Sequence, residues 1–376
     1  MNILRVLHAP INIGNQPWSL GQSERFVSKI DELNFFNHVV NFFPTKFSYQ
    51  SDEVFRFSES SVINNIYRRI LMASYSLKSL QQYDVFHFYF GKTFFPPLFK
   101  SCLFNYIDLK ILNKLGKKCF MTFQGCDARL REVSKYKPIS ACDEKECKNK
   151  WCNNRLDDFK KNNIQILSKY CSHIFCLNPD LIPYMPAAEF LPYCIYNQDI
   201  NFYKKRKCKK ERLLIAHAPT DRDIKGTKYV LRAFENLRKS YPIDYVIIEN
   251  LSHSKALDVY KEVDFAVDQL LVGWYGGFAV ELMQMSIPVV ANICSTDLEY
   301  IPKEMREEMP VIDAKPENIE EVLISLVKDR EMLYEIGDIS KKYVDRWHNA
   351  ENIARSMIEI YKDPSKSFWD EFMMKI

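Results

Sequence analysis

Leu270–Val290 reads LLVGWYGGFAVELMQMSIPVV. An apolar run leads into two glycines, Gly276 and Gly277. A helix-like apolar run follows, with one carboxylate, Glu281, placed by its spacing in the expected first turn, and the strand candidate PVVANI closes the stretch. Backbone N–H groups at a helix N-terminus bind phosphate oxygens, and glycines permit close approach of a ligand. Helical side chains lean back toward the N-terminus, which places Glu281 to accept two ribose hydroxyls beside a bound diphosphate. Taken alone, Glu281 is as well explained by a favourable charge on a helix dipole. Upstream, TDRDIKGTKYVLRAF combines Thr220, Arg222, Lys225 and Gly226 in a turn before another helix, and its two cations supply the positive charge that a diphosphate needs. Glycine pair, cations and acid together favour a phosphate-and-ribose site.

Working outward, Ile3–Pro10 (ILRVLHAP) and Leu213–Pro219 (LLIAHAP) are short apolar strands that both end in His-Ala-Pro. After each, strand candidates alternate with helical patterns: NHVVNFF, YDVFHFYF, KKCFMTF and HIFCLN in the first half, then RLLIAHA, DYVIIEN, FAVDQL and PVVANI. Helix-length patterns cover Lys228–Ser240 and Asn318–Asp329. Such alternation predicts parallel sheets with helices on both faces. The expected division is a first domain over 1–197 with a cysteine-containing insertion at about 126–160, a second over 198–360, and a tail over 361–376, whose SFWDEFMMKI is spaced to dock as a helix. Lys204, Lys205, Arg206, Lys207, Lys209, Lys210 and Arg212 crowd the boundary, either as a solvated linker or as an anchor to anionic headgroups. Ligands of doubly wound sheets bind outside the carboxyl ends of the strands, which makes candidates of His8, His87, Gln124, His217 and Glu249. A histidine at a strand end is also the ordinary place for a structural one, since catalytic roles need a positioned partner.

At 376 residues, 47% hydrophobic and 27% charged, the chain has material for two globular cores. A net charge of +4 is too mild for a dedicated nucleic-acid binder. Eleven cysteines point to a reducing compartment with thiols free or on metal. MNILRVLHAP reads as a first strand and not as a signal peptide. No stretch approaches the roughly 20 apolar residues of a span, so the expected location is cytoplasmic, with peripheral contact at the inner membrane surface left open.

Arg222-x-x-Lys225-Gly226 before a helix, Gly276-Gly277-Phe278-x-x-Glu281-x-Met283 and Pro288-Val289-Val290 resemble the donor-binding region of the retaining GT-B glycosyltransferases of family four. HAPINIGNQPWSL, FHFYFGKTFF, FQGCDAR and LNPDLIPYMP resemble the first half of that family. The resemblance implies two Rossmann-like, doubly wound domains facing each other across a cleft. It also implies transfer of a hexosyl or related sugar, with retention, from a nucleotide-diphosphate donor to a glycan or lipid-linked acceptor in surface polysaccharide or glycoconjugate synthesis. Lys225 and Arg222 would hold the diphosphate, Glu281 the ribose and the turn from Glu249 through Leu251 the base. Thr220, Gly226, Gly276, Gly277 and Phe278 would line the donor, and His8, Gly14, His87, Gln124 and Asp127 the acceptor or sugar. Three features differ: Gly273 stands where many members have a second acid, Gln124 where many have a histidine, and the Arg-Lys spacing is tighter.

With Lys225, Arg222 and the helix N-terminus stabilising the leaving diphosphate, no metal or other cofactor is expected in catalysis. Cys142, Cys147 and Cys152 recur every five residues in a polar loop. With Cys126 they are candidate ligands of a closed, structural zinc site over the first domain, or else surface thiols. Two other functions remain open, a non-catalytic GT-B-like subunit that binds nucleotide or glycan, and a nucleotide-sugar epimerase of the same fold.

Overall fold

The computed structural model describes residues 3–57, 62–97, 105–143, 145–148, 152–196 and 211–376. The basic run at 204–210 lies outside the described residues. Two compact units emerge. The first comprises Met1–Leu130, Asn154–Tyr196 and Ala350–Ile376, and the second comprises Arg131–Asn153 and Asn197–Asn349.

In the first unit, β1 (Leu4–Ala9), β2 (Phe35–Asn41), β3 (Glu53–Val54), β4 (Val85–Tyr89), β5 (Lys118–Phe123), β6 (His173–Cys176) and β7 (Ala188–Phe190) form one sheet in the order β3-β2-β1-β4-β5-β6-β7. All its pairings are parallel. The helices α1 (Gln16–Ile30), α2 (Val62–Gln82), α3 (Ile107–Lys114), α4 (Arg131–Ser134, in the second unit) and α5 (Asn154–Tyr170) lie between strands. Because both faces of a parallel sheet are covered, its strands are continuous apolar runs. The five residues of β4, VFHFY, are accordingly all buried.

In the second unit, β8 (Leu213–His217), β9 (Ile243–Ile247), β10 (Phe265–Val267), β11 (Val289–Ala291) and β12 (Ile312–Asp313) pair in parallel in the order β12-β11-β10-β8-β9. Around them come α6 (Arg222–Lys225), α7 (Thr227–Ser240), α8 (His253–Tyr260), α9 (Gly277–Gln284), α10 (Lys303–Glu307), α11 (Ile319–Lys328) and α12 (Arg330–Trp347). The strand order reverses between β1 and β4 in one sheet and between β8 and β10 in the other, and such reversals open crevices at the carboxyl ends of the strands.

Three expectations need correction. The insertion at 131–153 belongs to the second unit, whereas the sequence placed it over the first. Ala141 N donates to Leu271 O at 2.9 Å, and Lys137 Nζ reaches both oxygens of the buried Asp297 at 2.7 Å. The chain returns to the first unit at Ala350, ahead of the expected boundary at 360: α13 (Ala350–Lys362) packs on α1, with Arg355 forked onto Asp31 at 2.7 and 3.2 Å. α14 (Phe368–Met373) follows it, burying Phe368 and Phe372. Finally, α9 starts at Gly277, so Glu281 falls in the second turn and not the first.

Candidate functional site

The short helix α6 begins at Asp221, whose side chain accepts the N–H groups of Asp223 and Ile224 at 3.0 Å, as a helix-capping carboxylate does. It ends at Gly226, in the left-handed region at φ +73°, where a side chain is strained. This turn buries Lys225, whose Nζ donates to Asp268 Oδ1 at 2.6 Å. Asp268 follows β10 and is fully buried, and its Oδ2 accepts the N–H of Gly276 at 2.6 Å. A Cβ on Gly276 would lie 3.3 Å from Asp268 Oδ2 and 3.4 Å from Lys225 Nζ. A side chain at this position would require the ion pair to give by a few tenths of an ångström, so glycine suits the close approach of the start of α9. An ammonium carries three donors, and Asp268 engages one of them.

Beyond β9, Glu249 receives a two-pronged contact from Arg222, Nε to Oε1 at 2.9 Å and a terminal nitrogen to Oε2 at 2.6 Å. The sequence assigned the two to different parts of a donor, and the structure pairs them. Glu281 reaches back from α9 to His253, the first residue of α8, with Nε2 to Oε1 at 2.6 Å. Burial works against a charged His253 ring, but the Glu281 carboxylate outweighs it through charge and hydrogen bond, so its pKa is raised. Thr220 is exposed, and Leu251 and Phe278 are half-buried. The Phe278 ring packs edge-on to Tyr260 at 5.1 Å.

His217 is a different case. Burial pushes its pKa down to about 4, despite the hydrogen bond to Val267 O. The neutral ring thus donates from Nδ1 to that carbonyl at 2.8 Å and accepts at Nε2 from Thr227 Oγ1 at 2.8 Å, tying β8 to β10 and to the first residue of α7.

Gly273 packs against the turn at Cys294, so that a Cβ there would come within 2.3 Å of Cys294 Cβ. The position that carries an acid in many members of the resembled family is closed to any side chain here. The insertion lies alongside: Glu146 binds Tyr229 OH at 2.7 Å and Lys228 Nζ at 2.8 Å, and Lys148 N donates to Asp223 at 3.2 Å. Asp221 and Asp223 both accept backbone N–H groups.

In the first unit, two acceptor-side candidates are withdrawn. His8 and His87 are fully buried. His8 contacts Glu24 at 2.9 Å and Tyr89 OH at 2.7 Å, and His87 contacts Tyr361 OH and Thr122 Oγ1 at 2.7 Å each. Burial, with the neighbouring His8 and His173, drives the His87 pKa well down. Both rings are core residues with their polar atoms satisfied. Three other candidates do share the carboxyl edge of the sheet. A Cβ on the exposed Gly14 would lie 3.5 Å from Gln124 Oε1, and Asp127 accepts N–H groups of Gln124 and Gly125 at 2.6–3.2 Å. Burial raises the Asp127 pKa to about 6, against those hydrogen bonds. Gln124 Nε2 is buried with no partner among the described residues. Asp127 also lines a cavity of about 380 Å³ with Lys92, Arg68, Tyr106 and Phe123.

Cys126 belongs to the first unit and Cys142, Cys147 and Cys152 to the second; all four are thiols. Among the described residues, no group of three or more His, Cys, Asp or Glu is placed to hold a metal ion.

Sequence spacing missed Asp268 and His253. Asp268 carried a usable signal, an acid directly after the strand FAVDQL, at the same kind of position that singled out Glu249. His253 carried none, since its role appears only when α8 and α9 are neighbours.

No family model matches the sequence, and neither does any curated protein. The fold does match solved structures, among them GT-B glycosyltransferases. Sucrose-phosphate synthase from Thermosynechococcus elongatus aligns over 97% of this chain and 99% of its own at TM-score 0.59 and 12% identity. WaaG, a glycosyltransferase involved in lipopolysaccharide biosynthesis, aligns over 96% and 100% at 0.56 and 10%. A protein described as a UDP-N-acetylglucosamine 2-epimerase, from Listeria monocytogenes, aligns over 97% and 98% at 0.52 and 13%. The chain therefore has the two parallel-sheet α/β domains of the GT-B fold.

Proposed function

We propose that the protein is a glycosyltransferase that takes a sugar from a nucleoside-diphosphate donor held by the second unit. The observation that carries this reading is the convergence of Lys225, the Gly276 amide and the buried Asp268 at the crevice between β8 and β10, with Glu281 one helical turn away. Asp268 holds Lys225 in place, and the remaining ammonium donors and the start of α9 neutralise the diphosphate. As the sugar–phosphate bond breaks, negative charge grows on that diphosphate, where fixed donors stabilise it most. Glu281, steadied by His253, takes the ribose hydroxyls, while Arg222 exchanges part of its contact with Glu249 for phosphate. The carboxyl edge of the first sheet, at Gly14, Gln124 and Asp127, takes the acceptor, a glycan or lipid-linked saccharide of a surface polysaccharide or glycoconjugate. The reaction proceeds with retention: the acceptor hydroxyl attacks on the face from which the diphosphate leaves, and a phosphate oxygen helps to take its proton. No metal takes part, so turnover survives EDTA; activity lost to chelator and restored by manganese refutes this.

The deciding experiment is a thermal-shift panel of nucleoside diphosphates and their sugars. A ligand at a hundred times its Kd stabilises the fold by about 2.7 kcal/mol, and a panel in which no compound raises the melting temperature removes the reading. The epimerase among the neighbours supports a second reading. The two separate when the best-binding nucleotide sugar is incubated without acceptor: an epimerase returns the epimerised nucleotide sugar, and a transferase does not.

A further inference from the structure

The cavity of about 380 Å³ that Asp127 lines lies wholly within the first unit, at the ends of β4 and β5, with walls from α2 and α5. Much of the wall is apolar, from Phe43, Met72, Phe123 and Phe159, and the volume suits a small ligand. Its charge is one-sided. Arg68, Arg69, Lys92 and Lys160 line it, and Asp127 is the one acid among the described lining residues, with its oxygens already accepting the N–H groups of Gln124 and Gly125. Lys92 Nζ lies 4.0 Å from the centre of the Phe43 ring, and the Arg68 guanidinium lies 4.7 Å from the same ring. No carboxylate pairs with Lys92 among the described residues, and burial, with the Arg68 charge added, holds its pKa below the ordinary value. Two like charges drawn out of water cost free energy unless an opposite charge joins them. On α5, Lys160 and Asn163 stand one turn apart and are only 8% and 9% exposed. Lys160 Nζ uses one of its three donors on Arg129 O at 2.7 Å, and Asn163 Oδ1 is buried with no partner. Folded proteins seldom leave such an atom unpaired without a reason.

We propose that this cavity binds a small organic anion, a carboxylate or phosphate monoester carried on an aromatic or other apolar body, with Lys92 and Arg68 on the anionic group and a ligand hydroxyl on Asn163 Oδ1. Each half of the ligand answers a feature of the site. The anion supplies the opposite charge that Lys92 and Arg68 lack at the Phe43 ring, in a setting where a charge-assisted hydrogen bond is strong. The apolar body fills the space between Phe123, Phe159 and Met72, where a bare hydrated ion would leave apolar surface wet. A neutral sugar would answer Asn163 but leave the cations uncompensated. The proposal does not rest on the glycosyltransferase reading, because every residue in it belongs to the first unit.

The test is calorimetric titration of the full chain without nucleotide or nucleotide sugar. Phenyl phosphate and benzoate serve as the phosphate and carboxylate arms. The better of them is expected to bind saturably, about tenfold or more tighter than neutral phenol, and less tightly as salt is raised. The better of 3- and 4-hydroxybenzoate should exceed benzoate, and Asn163→Leu should remove that gain. Lys92→Met should weaken the better anion by about tenfold and raise the melting temperature, because it removes a buried charge that has no acidic partner. Lys92→Arg should keep most of the affinity. Amide exchange locates the ligand, with protection expected in α2, in α5 and at Gly91 and Lys92. No saturable binding of either anion, binding no tighter than that of phenol, or affinity unaltered by Lys92→Met overturns the proposal. So does protection confined to Arg222–Gly226, which would place the anions on the proposed diphosphate site instead.

Discussion

At the scale of single residues, the candidate site of the second unit turns on two carboxylates with different partners. The Lys225–Asp268 pair is almost entirely buried. Removing one member of such a pair strands the other charge, at a cost of about 3–5 kcal/mol, whereas replacing both is far milder. Lys225→Met and Asp268→Asn should therefore each lower the denaturation midpoint markedly, and the double variant should recover much of that stability while still failing to turn over. A double variant no more stable than the singles would show that the pair is not an energetic unit. The second carboxylate, Glu281, gives a pH signature through His253. The folded pKa of His253 lies above its ordinary value of 6.5, so the folded state binds the proton more tightly than the unfolded chain does. Its stabilisation is complete below about pH 6.5 and is lost as pH rises through the raised folded value. His253→Asn should flatten stability against pH in that window, measured by urea unfolding at stepped pH; an unchanged slope would refute the linkage. These pairings were hard to read in the sequence because Lys225 and Asp268 are 43 residues apart, and His253 and Glu281 are 28 apart. Lys225 and Glu281 are visible as candidates, but the partner that each one meets depends on strand order and on which helices are neighbours.

At the scale of elements, strands such as β4, β5 and β8 were legible because burial on both faces writes them as largely apolar runs between polar stretches. Glu281 was placed a turn too early because the Gly276–Gly277 pair marks a helix start without saying which glycine is the cap: with Gly277 as the cap Glu281 would be the fourth helical residue, at the end of the first turn, whereas Gly276 is the extended cap and Glu281 opens the second. The insertion at 131–153 was misplaced for a physical reason: its composition is polar, and it docks through a few contacts, chiefly Ala141 on Leu271 and Lys137 on Asp297. The latter pair predicts how the element behaves. Asp297 is buried, and Lys137 is the more exposed partner, so Lys137→Ala leaves a buried carboxylate short of a donor, at about 1–3 kcal/mol. Limited proteolysis should then cut within 131–153 faster than in the wild type. Equal cleavage rates would mean that the ion pair does not hold the insertion.

At the scale of the whole molecule, the chain crosses between its units more than once, and this separates effects that a simple two-halves reading would mix. The last segment, α13 and α14, completes the first unit, where the Tyr361 hydroxyl satisfies the buried His87 at 2.7 Å and Lys118 Nζ donates to Tyr361 O at 3.0 Å. Tyr361→Phe removes only the hydroxyl and leaves a buried ring nitrogen without its partner, a loss of about 1–3 kcal/mol. Local opening free energies are read by amide hydrogen exchange, so the consequence can be located. Exchange should quicken in β4, β5 and α13, although α13 lies some 270 residues from β4 in the sequence, since Tyr361 and His87 are 274 apart. A nucleoside diphosphate should act on the other unit, slowing exchange across Arg222–Gly226 and Asp268–Glu281, because binding to the native state alone stabilises what it touches. If Tyr361→Phe instead quickens exchange around β8 and β10, or if the nucleotide protects β4 and β5 first, the assignment of α13 to the first unit or the proposed nucleotide site in the second must be redrawn.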